Sequence, residues 1–250
     1  MQTAPMRILV TNDDGIDSEG LHVLARHLCE IGDVTVFAPS GEYSGAGAAI
    51  GHLAAGLPDV YQVERPEMPD VDAIYHQDAP PALAALLACQ GLFGFAPDLV
   101  VSGINPGWNV GYAVHFSGTI GACITANMLD IPAVAISQHT GGQSVRQWAT
   151  AAKAAVDQVP RAMTDQSLLN VNVPNIASDE IVGVVDTSLS ARIPYSLHTP
   201  TLTEVAPGHF TSAFERGGRM FQGPEGSDTH AVEARYVSVT ELTSTCAAAR

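Results

Sequence analysis

Short apolar runs alternate with amphipathic stretches over most of the chain. Ile8, Leu9 and Val10 form the first run, followed by Leu21, Leu24, Ala25, Leu28 and Cys29 at the spacing of one helix face. Asp17 or Ser18 stands where that helix would be capped, and Gly32 where it would stop. Residues 34–39 are apolar again, which predicts a β-α-β unit with parallel strands and a right-handed crossover. Segments 59–63 and 72–75 predict weaker strands. Pro80-Pro81 opens a helix carrying Leu83, Leu86 and Leu87, with proline in the first turn, where a missing N–H costs little. A strand at 98–102 runs into a glycine- and asparagine-rich loop, and Ile120, Cys123, Ile124 and Met128 mark a helix starting near Ser117-Gly118-Thr119. A strand at 132–137, a helix at 144–159 and a strand at 168–173 complete the series. Such alternation predicts an α/β class with a mostly parallel sheet and helices on both faces.

The pattern changes after residue 185. Pro194, Pro200, Pro207 and Pro224, with Gly217, Gly218, Gly223 and Gly226, cut the chain into short pieces. Segments 199–205 and 210–214 predict a β-hairpin around Pro207-Gly208, and 236–242 predicts a final strand. The expected organisation is a catalytic core at 1–185 and a C-terminal extension at 186–250, whose last helix and strand return to the core. The hairpin of such an extension packs either on another subunit, as an oligomerisation element, or on its own surface.

Composition narrows the function. The 250 residues are 46% hydrophobic and carry a formal charge of -15, which argues against a nucleic acid duplex or an anionic lipid surface as partner. An anionic substrate would need a local reversal of sign, and a bound cation supplies one. No apolar run is long enough for a membrane span, and residues 1–5 lack the character of a signal peptide. Cys29, Cys89, Cys123 and Cys246 have no C-x-x-C spacing and read as reduced thiols, which suits a cytoplasmic protein. A P-loop and a G-x-S-x-G elbow are both absent. Gly45-Ala46-Gly47 follows the second strand rather than the first and lacks the third small residue of a dinucleotide fingerprint.

The chemistry concentrates where strands end, which is where open α/β sheets place their ligands. Asn12-Asp13-Asp14-Gly15 ends the first strand, residues 40–47 follow the second, and residues 102–119 follow the strand at 98–102. Two adjacent carboxylates repel unless a cation neutralises them. Oxygen donors suit Mg²⁺, Mn²⁺ or Ca²⁺ better than zinc. The simpler alternative is that the pair caps a turn. Ser117-Gly118-Thr119 offers hydroxyls, free N–H groups and a positive helix end to a phosphate, or merely caps its helix. Asn105 and Asn109 are ordinary turn residues or site residues. His115 is the one histidine placed among these groups, and Trp108 either stacks on a base or packs on its own loop.

Residues 8–16, Ala38-Pro39 with Ser44-Gly45, 101–111, 115–122 and 131–137 together resemble the SurE family of survival-protein nucleotidases. The resemblance implies a Rossmann-like fold, one divalent metal ion per subunit, and hydrolysis of nucleoside 5′- and 3′-monophosphates. It implies metal ligation by Asp13, Asp14, Ser44 and Asn105, phosphate binding by Asn109, Ser117, Gly118 and Thr119, and catalytic roles for Asp13, Asp14, Asn109, Ser117 and Thr119. A homodimer or homotetramer that exchanges its C-terminal extensions is implied as well. Two rivals stand beside this reading: a phosphatase for a sugar phosphate or biosynthetic intermediate, and a non-catalytic nucleotide- or metal-binding protein. The chain departs from the family pattern at 77–82 and at Gly41-Glu42-Tyr43. Both departures are expected to lie away from the ligands and to bear on substrate preference.

Overall fold

The computed structural model describes residues 4–139, 145–192, 196–197, 199–213, 216–217 and 222–244. Pro194, Phe214, Gly218, Cys246 and the predicted helix start at 144 lie outside the described residues.

Nine strands form one sheet. β1 (Arg7–Thr11), β2 (Asp33–Pro39), β3 (Val60–Val63), β4 (Ala73–Gln77), β5 (Leu99–Asn105), β6 (Ala133–His139), β7 (Leu168–Pro174) and β8 (Gly183–Asp186) are joined by a last strand, β13 (Tyr236–Leu242). The spatial order is β3-β4-β2-β1-β5-β6-β7-β13-β8. From β4 to β7 the pairing is parallel, β3 is antiparallel at one edge, and β13 runs antiparallel to β7 and parallel to β8. Between β8 and β13 lie β9 (Ser196–Leu197) paired with β12 (Arg216–Gly217), and the hairpin β10 (Thr201–Ala206) with β11 (His209–Ala213).

The period of two along each strand divides the core in two. Ile8 and Val10 of β1 point to the face covered by α1 (Glu19–Leu28) and α4 (Trp148–Asp165). Leu9 points to the opposite face, beneath α2 (Pro81–Cys89) and α3 (Gly118–Asn127). Strands buried on both faces read as continuous apolar runs, which is why β1, β2, β5, β6 and β7 were visible as such. A short helix, α5 (Asp228–Glu233), precedes β13.

Two differences from the sequence expectations stand out. Helix α4 continues to Asp165 past Pro160, because Ala162 carries the buried stripe of Ala155 and Val159 on beyond the proline. The chain then leaves through Gln166 in the left-handed conformation, at φ 52°. Strand β8 was not among the predicted strands although it lies in the apolar run Ile181 to Val185; it is an edge strand with alternate residues exposed.

Candidate functional site

The parallel arrangement brings the carboxyl ends of β1, β2 and β5 side by side, with the N-terminus of α3 against them. Gly15 turns the chain out of β1 at φ +96°, where a side chain would be strained. Asp13 is thereby left only 2% exposed at the strand end. Its Oδ2 accepts the Gly118 N–H at 3.1 Å and its Oδ1 accepts the Thr119 hydroxyl at 2.7 Å. A Cβ at residue 118 would lie 2.8 Å from Asp13 Oδ2, so only glycine allows this approach. The helix start and the acidic turn, about a hundred residues apart in sequence, thus form one contact.

Asp14 is half-buried, and its Oδ2 is enclosed with no hydrogen-bond donor among the described residues. Burial, then the charges of Asp13 and Glu42, push its carboxyl up to about 8. Burial raises Asp13 as well; the Thr119 hydroxyl bond opposes the rise and Glu42 adds to it. Two acids destabilised in their charged forms, one with an unsatisfied oxygen, suit a bound divalent cation. Among the described residues no three His, Cys, Asp or Glu side chains cluster for a metal. Any such ion would therefore draw on neutral oxygens too.

Of the other predicted residues, Ser44 and Ser117 stand next to groups that bond Asp13, Asn105 ends the strand beside β1, and Asn109, Trp108 and His115 make their contacts elsewhere. Ser44 is exposed, directly after Tyr43, whose N–H donates to the Asp13 carbonyl at 2.7 Å. Asn105 ends β5, the neighbour of β1, and its Nδ2 donates to the Gly107 carbonyl at 2.5 Å. Ser117 is the N-cap of α3, its Oγ accepting the Ile120 N–H at 3.2 Å. Asn109 is buried, and its Nδ2 donates to Ser137 Oγ at 2.9 Å. His115 is exposed beside Tyr112, with ring centroids 6.1 Å apart. The Trp108 indole N–H donates to the Val173 carbonyl at 3.3 Å, and its ring lies 4.8 Å from that of His139. It therefore packs on the ends of β6 and β7 rather than on its own loop.

The departures at 41–43 and 77–82 do not lie away from the centre. Tyr43 bonds Asp13, and Glu42 is close enough to bias both aspartates. The two segments also touch: the Tyr43 hydroxyl donates to Asp78 Oδ1 at 2.8 Å, and Ser40 N–H donates to the Gln77 carbonyl at 2.7 Å. They form one linked unit beside the acidic pair.

Three groups escaped the sequence reading. Asn170 and Asn172, both fully buried in β7, bond the backbone of Asn109. Asp228, fully buried at the start of α5, accepts the Gly111 N–H at 2.6 Å, the Ser190 N–H at 2.9 Å and the Ser190 hydroxyl at 2.6 Å. Two asparagines at i and i+2 in an otherwise apolar strand were the available signal for the first pair. Asp228 had none, lying among prolines and glycines.

With this geometry in place, comparison with known proteins decides the family. The profile described as "Survival protein SurE" matches residues 8–195. The chain belongs to the SurE family. Among SurE relatives, the "5'-nucleotidase SurE" of Geobacter sulfurreducens is 36% identical over 244 residues, covering 95% of this chain and 87% of the relative. Those of Methylobacillus flagellatus and Stenotrophomonas maltophilia are 34% and 36% identical, each covering 95% of this chain and 92% and 89% of the relative. A crystal structure of a SurE protein from Aquifex aeolicus superimposes with a TM-score of 0.79 at 29% identity, covering 96% of this chain and 94% of that one. The α/β sheet flanked by helices is thus the SurE architecture.

Proposed function

We propose that this chain hydrolyses phosphate monoesters, nucleoside 5′- and 3′-monophosphates above all, with the help of one divalent metal ion per subunit. The observation that carries the reading is the contact of Asp13 with Gly118 and Thr119, an acidic strand end set against a helix N-terminus. A cation held by the acidic pair would offset its repulsion of a phosphate, while the helix start complements the phosphate charge. The names of the relatives, "5'-nucleotidase SurE", support the substrate class.

Asp13, Asp14, Ser44 and Asn105 would hold the ion, Mg²⁺ or Mn²⁺ before Ca²⁺, and the enclosed, donorless Asp14 Oδ2 fits that role. When bound, the ion would neutralise the two carboxylates and polarise a phosphoryl oxygen. The chain's own residues do the rest. Asn109, Ser117 and the Thr119 N–H bind the phosphate and stabilise the charge that develops as the ester bond breaks, and the Gly118 N–H joins them only by giving up its bond to Asp13. The Thr119 hydroxyl keeps Asp13 in place, and Asp13 orients the attacking water and takes its proton. Water attacks phosphorus in line as the bond to the ester oxygen breaks, and that oxygen leaves as the nucleoside alcohol after taking a proton from solvent, leaving inorganic phosphate.

The β10–β11 hairpin supports assembly as a homodimer or homotetramer through residues 186–250, the rest being the catalytic core. All of its residues are exposed, with Leu202 at 70%, Val205 at 53% and Phe210 at 49%. Apolar surface of this kind is commonly covered by a partner, here a second copy of the chain. The reduced thiols of Cys89 and Cys123 accord with a cytoplasmic setting.

The test is a substrate panel of 5′-AMP, 3′-AMP, sugar phosphates and p-nitrophenyl phosphate with Mg²⁺ or Mn²⁺. Turnover is expected to vanish with EDTA, to return with added metal, and to fall at least about 100-fold in Asp13→Asn. Metal-independent turnover or an active Asp13→Asn enzyme would overturn the mechanism, and a preference for sugar phosphates would overturn the substrate class.

A further inference from the structure

The phosphate-binding role proposed for Asn109 requires a fixed carboxamide, yet this residue sits in a loop. What fixes it comes from two neighbouring strands. Ser137 of β6 and Asn172 of β7 are register partners, and Asn170 lies two residues before Asn172 on the same face. All three are fully buried, on the face that Ala133, Ala135 and Leu168 share with α3. Buried polar side chains in the middle of a sheet are costly unless bonded, and here their bonds converge on Asn109.

The Asn109 N–H donates to Asn172 Oδ1 at 2.8 Å. Its carbonyl accepts Asn170 Nδ2 at 2.8 Å and Asn172 Nδ2 at 3.0 Å. Asn172 Nδ2 also approaches Asn170 Oδ1 at 3.2 Å, which sets the orientation of both amides. The Asn109 Nδ2 donates one hydrogen to Ser137 Oγ at 2.9 Å. Backbone N–H, backbone carbonyl and one side-chain hydrogen are therefore all committed. The second Nδ2 hydrogen and Oδ1 make no bond to any described residue.

We infer that Ser137, Asn170 and Asn172 are positioning residues that hold the Asn109 carboxamide with one N–H presented to the substrate phosphate. Asn170 and Asn172 fix where the residue stands, and Ser137 fixes how its amide is turned. A preset donor loses no orientation freedom at the moment of reaction, which is what makes it effective toward developing charge. The inference rests on the phosphatase reading, and its test separates the two.

Ser137→Ala removes only the acceptor of the Asn109 amide. With p-nitrophenyl phosphate and Mg²⁺, kcat/KM is expected to fall about tenfold in Ser137→Ala and at least as far in Asn172→Ala. In an Asn109→Ala background the same two changes should cost less than about twofold, because the group they orient is gone. Thermal melts of every variant report folding. The rise in Tm with inorganic phosphate should shrink in Ser137→Ala as it does in Asn109→Ala, a readout independent of turnover. Equal losses in both backgrounds, or an unchanged Ser137→Ala enzyme, would overturn the positioning role. A wild-type protein that is stabilised by phosphate but turns over no ester would instead overturn the phosphatase reading and leave the phosphate measurements to judge the clamp.

Discussion

The Ser117 hydroxyl has two tasks, one for its oxygen and one for its hydrogen. It caps α3 by accepting the Ile120 N–H, and the proposed function asks it to meet a phosphate as well. Ser117→Ala is expected to lower stability by about 1 kcal/mol through loss of the cap. Ser117→Asn replaces the cap without the hydroxyl, so thermal melts should recover while kcat/KM stays down by about tenfold or more. Recovery of both together would reduce Ser117 to a cap. The capping role was legible from a serine before an apolar helix, but the contact of Asp13 with Thr119 was not, because residues far apart in sequence meet only once the strand order is known. The linked departures at Tyr43 and Asp78 hid for the same reason, β2 and β4 being neighbours in space and separated in sequence by β3. Ser137 looked like an ordinary strand residue, and only its bond from the Asn109 amide gives it a purpose.

Among elements, β1 and β5 carry the most, since Asp13 and Asn105 leave from their carboxyl ends. Their opposite ends are tied by Arg7 and Asp98. The Arg7 N–H and Nε donate to Asp98 Oδ2 at 2.8 and 3.1 Å, and Nη2 donates to Oδ1 at 2.8 Å. The Arg7 side-chain bond, ahead of its charge, holds the Asp98 carboxyl below its ordinary 3.8. A depressed carboxylate stabilises the fold above its unfolded value and loses that contribution as the pH falls through its folded one. Asp98→Asn should therefore melt at a lower temperature than the wild type at pH 7, and the gap should close as the pH drops below 3.8. Both side chains are partly in solvent, so the gap is expected to be small and to shrink with salt. Central strands were legible because burial on two faces makes them continuously apolar. The edge strand β3 was faint because one side of it meets water, whereas β8 lay in the apolar run from Ile181 to Val185, with a glycine at its centre, and was not read as a strand. Helices α2 and α3 pack on the sheet and on each other, so α2 in particular is apolar nearly all round and gave no clear stripe.

At the scale of the whole molecule, the charge of -15 and the exposed apolar hairpin pull in opposite directions. Like charge keeps copies apart, whereas Leu202, Val205 and Phe210 favour burial against a partner. Light scattering of the intact chain is expected to report a dimer or tetramer. Replacing 201–213 by a short Gly-Ser linker should yield monomers, and persistence of the oligomer would assign the interface elsewhere. The pattern of prolines and glycines after residue 185 announced a change of organisation, but it gave no hint that Asp228 reaches back across 117 positions to the Gly111 N–H. That bond has a consequence for the order in which the protein comes into being. During synthesis from the N-terminus, Asp13, Ser117 and Asn109 are all made long before Asp228 and before β13, the strand that pairs with β7. The loop that follows Asn109 therefore gains its bond at the Gly111 N–H only after a residue 117 positions further along has been made, and until then the nascent chain holds that loop with fewer bonds than the folded protein does.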